Sequence, residues 1–378
     1  MKVYFDNAAS TKVRDEVVEL MTYVMSEEYG NPSSTHSAGR SALKILEQAR
    51  NSVVEALGAD GKDHVYFTSG GTESNNWAIF GAAEAAHRIG KHIITSDVEH
   101  SAVLEPIKKL QRNGYEVSYL KTDKNGKLCI SEFERVLRDD TMLVSLMLVN
   151  NETGCANDIG AFSKVIKRRK LRTLLHTDAV QGLCKVNFDV KRLGVDLLSI
   201  SAHKLHGPKG AGALYIKNDV KIAPIMLGGA NEDGQRAGTV ALASVAGFGE
   251  AVRLAMAEFD QVTARVRGLR ERAIGLLHEE LPEAVVIGAG DSPFLLSLSL
   301  PGFKSEVLMN CLEAEGISVS KSSACKKGAR SRVLSAMGIN DKVIDGALRV
   351  SFSRYSTAAE VDYFVKSLHK ASKGLIKM

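Results

Sequence analysis

The chain is 378 residues long, 44% hydrophobic and 25% charged, the make-up of a folded globular protein; disordered, collagen-like and membrane-bundle chains are excluded. Its 49 Lys and Arg against 44 Asp and Glu leave a formal charge of +5, too slight for a nucleic-acid-binding surface, so no direct nucleic-acid partner is expected. A single core stops growing at roughly 250–300 residues, which makes two domains the expectation.

The opening MKVYFDNAASTKV puts Asp6 and polar residues where an export signal needs an apolar stretch. The best apolar run, 142–149, is strand-sized and interrupted by Ser145, whereas a membrane helix needs about 20 such residues. A cytoplasmic location with no membrane partner is expected. From about Asp15 to residue 220, strand-like runs alternate with helical patterns: VYFTS, a helix over 78–87, HIITS, a helix over 104–112, VSYL, MLVSLMLV, a helix over 162–169, RTLLHTDA, VDLLSISA and GALYI. This alternation predicts βαβ units around a mostly parallel sheet, an α/β class. Residues 253–280 then read as one long helix, followed by FLLSLSL, a helix over 307–315, LRVSFS and a helix over 358–369. These form a smaller α+β unit, completed by the N-terminal residues. Cys129, Cys155, Cys184, Cys311 and Cys325 are scattered and odd in number, so neither a disulfide framework nor a metal site is expected.

In an α/β sheet the informative residues lie just past the carboxyl ends of the strands. After VYF comes Thr68-Ser69-Gly70-Gly71-Thr72, a Gly-rich, hydroxyl-bearing turn into a helix; it suits a phosphate, although plain N-capping is by itself the simpler explanation of such a turn. After HIITS come Glu99 and His100, and after RTLLHT come Asp178 and Gln181. Either alone reads as a capping or surface residue. VDLLSISAHKLHGPKGAGAL decides between these readings, because it sets Ser201, His203 and Lys204 at the end of an apolar strand, where a lysine is costly unless its amine is paired or used covalently. A lysine for a Schiff base, an acid for a pyridinium nitrogen, a flat partner for a ring and an anion cradle are the needs of pyridoxal 5′-phosphate (PLP). Lys204, Asp178, His100 and Thr72 fill them in turn.

FDNAAST from residue 5, GNPSSTH, FTSGGTESNN, TSDVEHSAV, VNNETG, HTDAVQ, SAHKLHGPKGAGAL, QRAGT, SSAC and RVSFSRYSTAAEVD at 349–362 follow one another along the chain. In that order they resemble the group I cysteine desulfurases, the NifS/IscS-like family of fold-type I PLP-dependent transferases. The resemblance implies a large PLP-binding domain, 15–250, with a mostly parallel seven-stranded sheet. A small α+β domain, 1–14 and 251–378, carries the nucleophilic cysteine. It implies that Lys204 bears the cofactor, His100 stacks on its ring, Asp178 meets the ring nitrogen, and Gln181 and Asn151 lie near the phenolic oxygen. Gly71, Thr72, Ser201 and His203 hold the phosphate, with Thr239 reaching across from the other subunit of a homodimer. Arg349 clamps the substrate carboxylate beside Asn151, a task suited to a planar guanidinium.

By the same resemblance Cys325 is the nucleophile. Its neighbours Lys321, Lys326, Lys327 and Arg330 favour the thiolate, while the other four cysteines read as small buried apolar residues. The segment after Cys325 reaches Val333-Leu334 about two residues sooner than in the relatives, and the polar stretch 320–332 is expected to be mobile. The implied reaction converts L-cysteine to L-alanine and leaves a persulfide on Cys325 for a transient acceptor protein, an iron–sulfur scaffold or a tRNA-thiolation enzyme. A selenocysteine lyase, or another PLP-dependent β-lyase or aminotransferase, shares the same cofactor site. A sulfur-relay scaffold with vestigial catalysis is the reading from outside the enzymes, and the presence of Lys204, Asp178 and Cys325 speaks against it.

Overall fold

The computed structural model describes residues 1–321 and 330–377. The short strand β1 (Val3–Tyr4) precedes β2 (His64–Thr68), β3 (His92–Ser96), β4 (Glu116–Leu120), β5 (Thr141–Ser145), β6 (Leu174–Asp178), β7 (Leu197–Ser201) and β8 (Gly212–Ile216). The last seven form one sheet in the order β2-β8-β7-β6-β5-β3-β4. β8 is antiparallel to both of its neighbours, and the other pairs are parallel. This is the mostly parallel seven-stranded sheet expected from the sequence. Its middle strands β3, β5 and β7 are buried along their whole length, as strands covered on both faces by helices must be.

Two histidines bridge the sheet from within. His176 on β6 hydrogen-bonds Ser145 of β5 at 2.8 Å and Ser199 of β7 at 3.0 Å, and burial pushes its ring down to about 3. His92 on β3 does the same between Thr141 of β5 and Ser118 of β4, at 2.8 and 2.9 Å. Each ring thereby satisfies buried hydroxyls that an apolar core would leave unpaired.

The C-terminal third builds a separate core. Strands β9 (Val285–Ile287), β10 (Leu295–Ser299), β11 (Ile317–Ser318), β12 (Ser320–Lys321) and β13 (Ala347–Ser351) follow, with β12-β13-β10-β9 forming an antiparallel sheet. β1 pairs parallel with β11, Val3 opposite Ile317. Phe5 packs edge-on against Phe352 and Phe364, with ring centroids 5.2 and 5.9 Å apart, so the first residues are anchored in this core.

The pattern over 253–280 predicts one helix, but the chain forms two, Leu242–Ala257 and Phe259–Glu280. The break falls at Glu258, whose carboxylate is paired with Arg14 at 3.2 Å and Arg354 at 2.8 Å. The first of these helices lies against the helix Ser37–Leu57 backbone to backbone: a Cβ on Gly249 would sit 2.4 Å from Ala49 Cα. Among the described residues no helix is long and apolar enough to cross a membrane, and no group of three or more His, Cys, Asp or Glu side chains could hold a metal ion.

Candidate active site

The parallel strands deliver their carboxyl ends to one place. β2 ends in the turn Ser69-Gly70, where Gly70 has φ +147, and the helix Gly71–Ala85 starts immediately, seven residues before the periodic apolar pattern becomes readable. Its first turn presents unpaired backbone N–H groups and the positive end of the helix dipole. The turn is tightly confined: a Cβ on Gly71 would meet Val180 at 2.6 Å, and one on Gly212 would meet the Gly70 backbone at the same distance.

Asp178 closes β6 and is buried. Its Oδ2 accepts from Asn75 Nδ2 at 2.7 Å and its Oδ1 from the Val180 N–H at 3.0 Å. His100, the residue before the helix Ser101–Arg112, accepts the Ala102 N–H on Nδ1 at 3.1 Å. Burial lowers its pKa, ahead of the effects of Asp178 and Lys204. A neutral ring that accepts on Nδ1 carries its proton on Nε2, so His100 offers the cleft a donor rather than a base. Beneath it, burial raises the Glu99 carboxyl to about 8, although Oε1 accepts from Ser96 Oγ at 2.6 Å and from the Met147 N–H at 3.0 Å.

Lys204 follows β7 in the turn Ala202–Lys204. Its amine donates to the carbonyls of Ala8 and Ala9, both at 2.7 Å. Burial first, then the Arg349 guanidinium, lowers it to about 8. The N-terminal segment is stitched along this turn: the Thr11 N–H donates to the His203 carbonyl at 3.0 Å, and the Arg14 N–H to the His206 carbonyl at 3.0 Å. Burial likewise lowers the His203 ring to about 4. Gln181 Nε2 donates to the Ala8 carbonyl at 2.9 Å, and its Oε1 accepts from Lys185 Nζ at 2.9 Å.

Arg349 enters from β13. Its Nη2 donates to Asp6 Oδ1 at 2.8 Å and its Nη1 to the Asn151 carbonyl at 3.1 Å. Beside it, burial raises the Glu152 carboxyl to about 7, against the pull of Ser331, Arg349 and Arg332. Gly71, Thr72, His100, Asn151, Asp178, Gln181, Ser201, His203, Lys204 and Arg349 line one cleft of about 370 Å³, a volume typical of small-molecule sites.

Thr239 is exposed and does not line this cleft. Cys325 and the core of the segment expected to be mobile lie outside the described residues. Its flanks are tied down: Ser320 and Lys321 pair with β13, Arg330 is paired with Asp341 and Asp345, and Ser331 Oγ donates to Glu152 Oε2 at 2.5 Å. Cys155 is buried, with Sγ 2.6 Å from the Asn125 carbonyl. Burial pushes the Cys184 thiol up to about 12. The reading of Cys129 as buried is corrected. It is exposed at the start of the helix Ile130–Val136, 3.0 Å from Ser131 Oγ, because the residue before a helix belongs to the loop.

The aminotransferase class-V sequence pattern matches residues 3–364. The chain belongs to the aminotransferase class-V family. A family member from Methanosarcina thermophila named cysteine desulfurase IscS is 43% identical over 95% of this chain and 89% of its own length. A solved NifS-like protein superposes with a TM-score of 0.94 at 37% identity, covering 99% of this chain and all of that one. The solved structure titled SspA in complex with cysteine superposes at 0.79 with 30% identity over 94% of this chain and all of that one. Within the class-V family these findings put the chain in the NifS/IscS-like, group I cysteine desulfurase branch, whose cofactor is PLP.

The cleft fits that cofactor on its own chemistry. A helix N-terminus, three hydroxyl or imidazole side chains, a buried carboxylate and a primary amine line it together. Two buried polar atoms at the cleft, Asn75 Oδ1 and Arg349 Nε, have no hydrogen-bond partner among the described residues, the mark of a site shaped around a missing group. Sequence reasoning passed over Asn75, Lys185 and the Ala8 and Ala9 carbonyls. Lys185 did carry a signal, a lone lysine among Leu183, Cys184 and Val186; the two carbonyls carried none.

Proposed function

We infer that the chain is a PLP-dependent cysteine desulfurase. It turns L-cysteine and the Cys325 thiol into L-alanine and a Cys325 persulfide, which is handed to an acceptor protein. The observation that carries this reading is the meeting of Lys204, Asp178 and His100 in one cleft. The amine and the acid stand at the ends of neighbouring strands β7 and β6.

Gly71, Thr72, Ser201 and His203 would hold the phosphate, Asp178 the ring nitrogen, and Lys204 the aldehyde carbon. When bound, PLP supplies an aldehyde that joins the substrate amine and a ring that draws electrons from the α-carbon. Lys204, lowered to about 8, is partly neutral near physiological pH, so once free it can take the α-proton. Arg349 holds the substrate carboxylate, with Asp6 and the Asn151 carbonyl fixing its plane. His100 would cover the cofactor, with its proton on Nε2 because Nδ1 accepts from the Ala102 N–H. The sulfur then moves as a neutral atom from substrate to Cys325: the carbon–sulfur bond breaks with its electron pair left on carbon, a sulfur–sulfur bond forms, and the carbon skeleton takes up two protons, the one removed from the α-carbon and one given up by the thiols, to become alanine.

The working unit is a homodimer, a reading supported by the exposed Thr239 standing outside its own cleft. Residues 15–250 form the cofactor domain, and 1–14 with 251–378 the small domain. The acceptor is a transient protein partner, and the location is cytoplasmic. The test is product analysis with L-cysteine. The wild type should yield alanine, with one persulfide on the protein before any acceptor is added, and Cys325→Ser should bind PLP and cysteine yet carry no persulfide. Pyruvate with free sulfide as the main products would make the protein a β-lyase instead.

A further inference from the structure

Gln181 and Lys185 sit four residues apart on the turn after Asp178. Backbone bonds from Gly182 to Ala179 and from Lys185 and Val186 to Gly182 fold the turn tightly, at 2.8, 3.0 and 3.1 Å. Cys184 takes the left-handed conformation, φ +57, uncommon for a residue with a side chain. Lys185 is thereby buried, only 7% exposed, and among the described residues its amine has a single hydrogen-bond partner, the Oε1 of Gln181 at 2.9 Å. A buried amine with one partner is costly. It pairs with a side chain that lines the cofactor cleft rather than with an acid.

The Gln181 amide is therefore gripped from both sides. The carbonyl of Ala8 requires the NH2 group, and Lys185 requires the oxygen. Nε2 carries two hydrogens; one goes to Ala8, and the other is left for the cleft. The grip at Ala8 is shared, because Lys204 also donates to that carbonyl, at 2.7 Å. Among the described residues Lys185 is the one partner of the amide oxygen.

We propose that Lys185 is a positioning residue which, by holding the amide oxygen of Gln181, keeps an Nε2 hydrogen aimed at the phenolic oxygen of PLP. The proposal rests on the reading that the cleft holds PLP with Gln181 beside that oxygen. The charged and titratable groups facing Lys185 are Lys204, Arg349, His203, His206 and Cys184, with Arg14 and Glu258 across the cavity behind it. Burial, ahead of Lys204 and Arg349, lowers its amine to about 7, so near neutral pH it is only partly charged and donates to Gln181 in either state.

A hydrogen bond given to the phenolic oxygen favours its anion and loosens its hold on the proton shared with the neighbouring cofactor–lysine nitrogen. Losing it should raise the pH at which the visible band of the lysine-bound cofactor titrates. The experiment titrates that band in the holoenzyme for wild type, Lys185→Met, Gln181→Leu and the double variant, with circular dichroism as the check on folding. Each single variant should move the midpoint up by about one pH unit, the size of one hydrogen bond to a charged group, and the double variant no further than either single one. An unmoved midpoint in folded Lys185→Met, or single shifts that add in full, would overturn the proposal; full addition means that Lys185 acts as an independent charge. A wild-type protein with no visible band at all would overturn the cofactor reading itself.

Discussion

Lys204→Ala should purify without the visible absorbance of a lysine-bound cofactor and turn over L-cysteine at least about a thousand-fold more slowly, the upper half of what a positioned base contributes. The loss is expected to be this large because no other group among the described residues of the cleft can replace the amine. His100 is nearest in kind, but its Nδ1 is taken by the Ala102 N–H, which leaves the proton on Nε2. Lys185 is turned away onto Gln181. The fold should survive, since the amine contributes only two hydrogen bonds to Ala8 and Ala9 carbonyls, worth about 1 kcal/mol each. Absorbance spectra and alanine release measure both effects, and near wild-type release by the variant would remove Lys204 from its role.

Asp178→Asn should weaken PLP binding by roughly 10–100-fold, the worth of a hydrogen bond to a charged group, and lower turnover of the saturated enzyme by about 10²–10³-fold, as the loss of one fixed electrostatic partner does. The geometry forbids a quiet substitution. Both carboxylate oxygens already accept from donors, Asn75 Nδ2 and the Val180 N–H, so an amide must set its own NH2 against one of them in either orientation. Equilibrium dialysis of PLP and steady-state kinetics at saturating cofactor separate the two effects. A variant with unchanged turnover would place the ring nitrogen elsewhere.

The strands that carry the site were legible because each is an apolar run long enough to cross a sheet and short enough to exclude a helix. Val65–Phe67, Ile93–Thr95 and Leu198–Ile200 are all buried, and Thr72, His100, Asp178 and Lys204 stand where those runs and their neighbours stop. Backbone groups were invisible: nothing in FDNAAST announces that the Ala8 and Ala9 carbonyls receive the catalytic amine. Tertiary pairing was invisible too, as at Glu258, where Arg14 and Arg354 interrupt a periodic helical pattern, and at Asn75, which reads as an ordinary helix residue until Asp178 is placed opposite it. The two-residue strand β1 is too short for any alternation to reveal.

The central claim is that the reactive amine of this protein is Lys204. Borohydride reduction of the PLP-loaded holoenzyme fixes the cofactor to whichever amine carries it, and peptide mapping then reads the position. The pyridoxyl group should be found on Lys204 alone and should vanish after incubation with L-cysteine before reduction. Pyridoxyl on Lys185, the other buried amine lowered toward neutrality, or on no lysine of the cleft, would contradict the account.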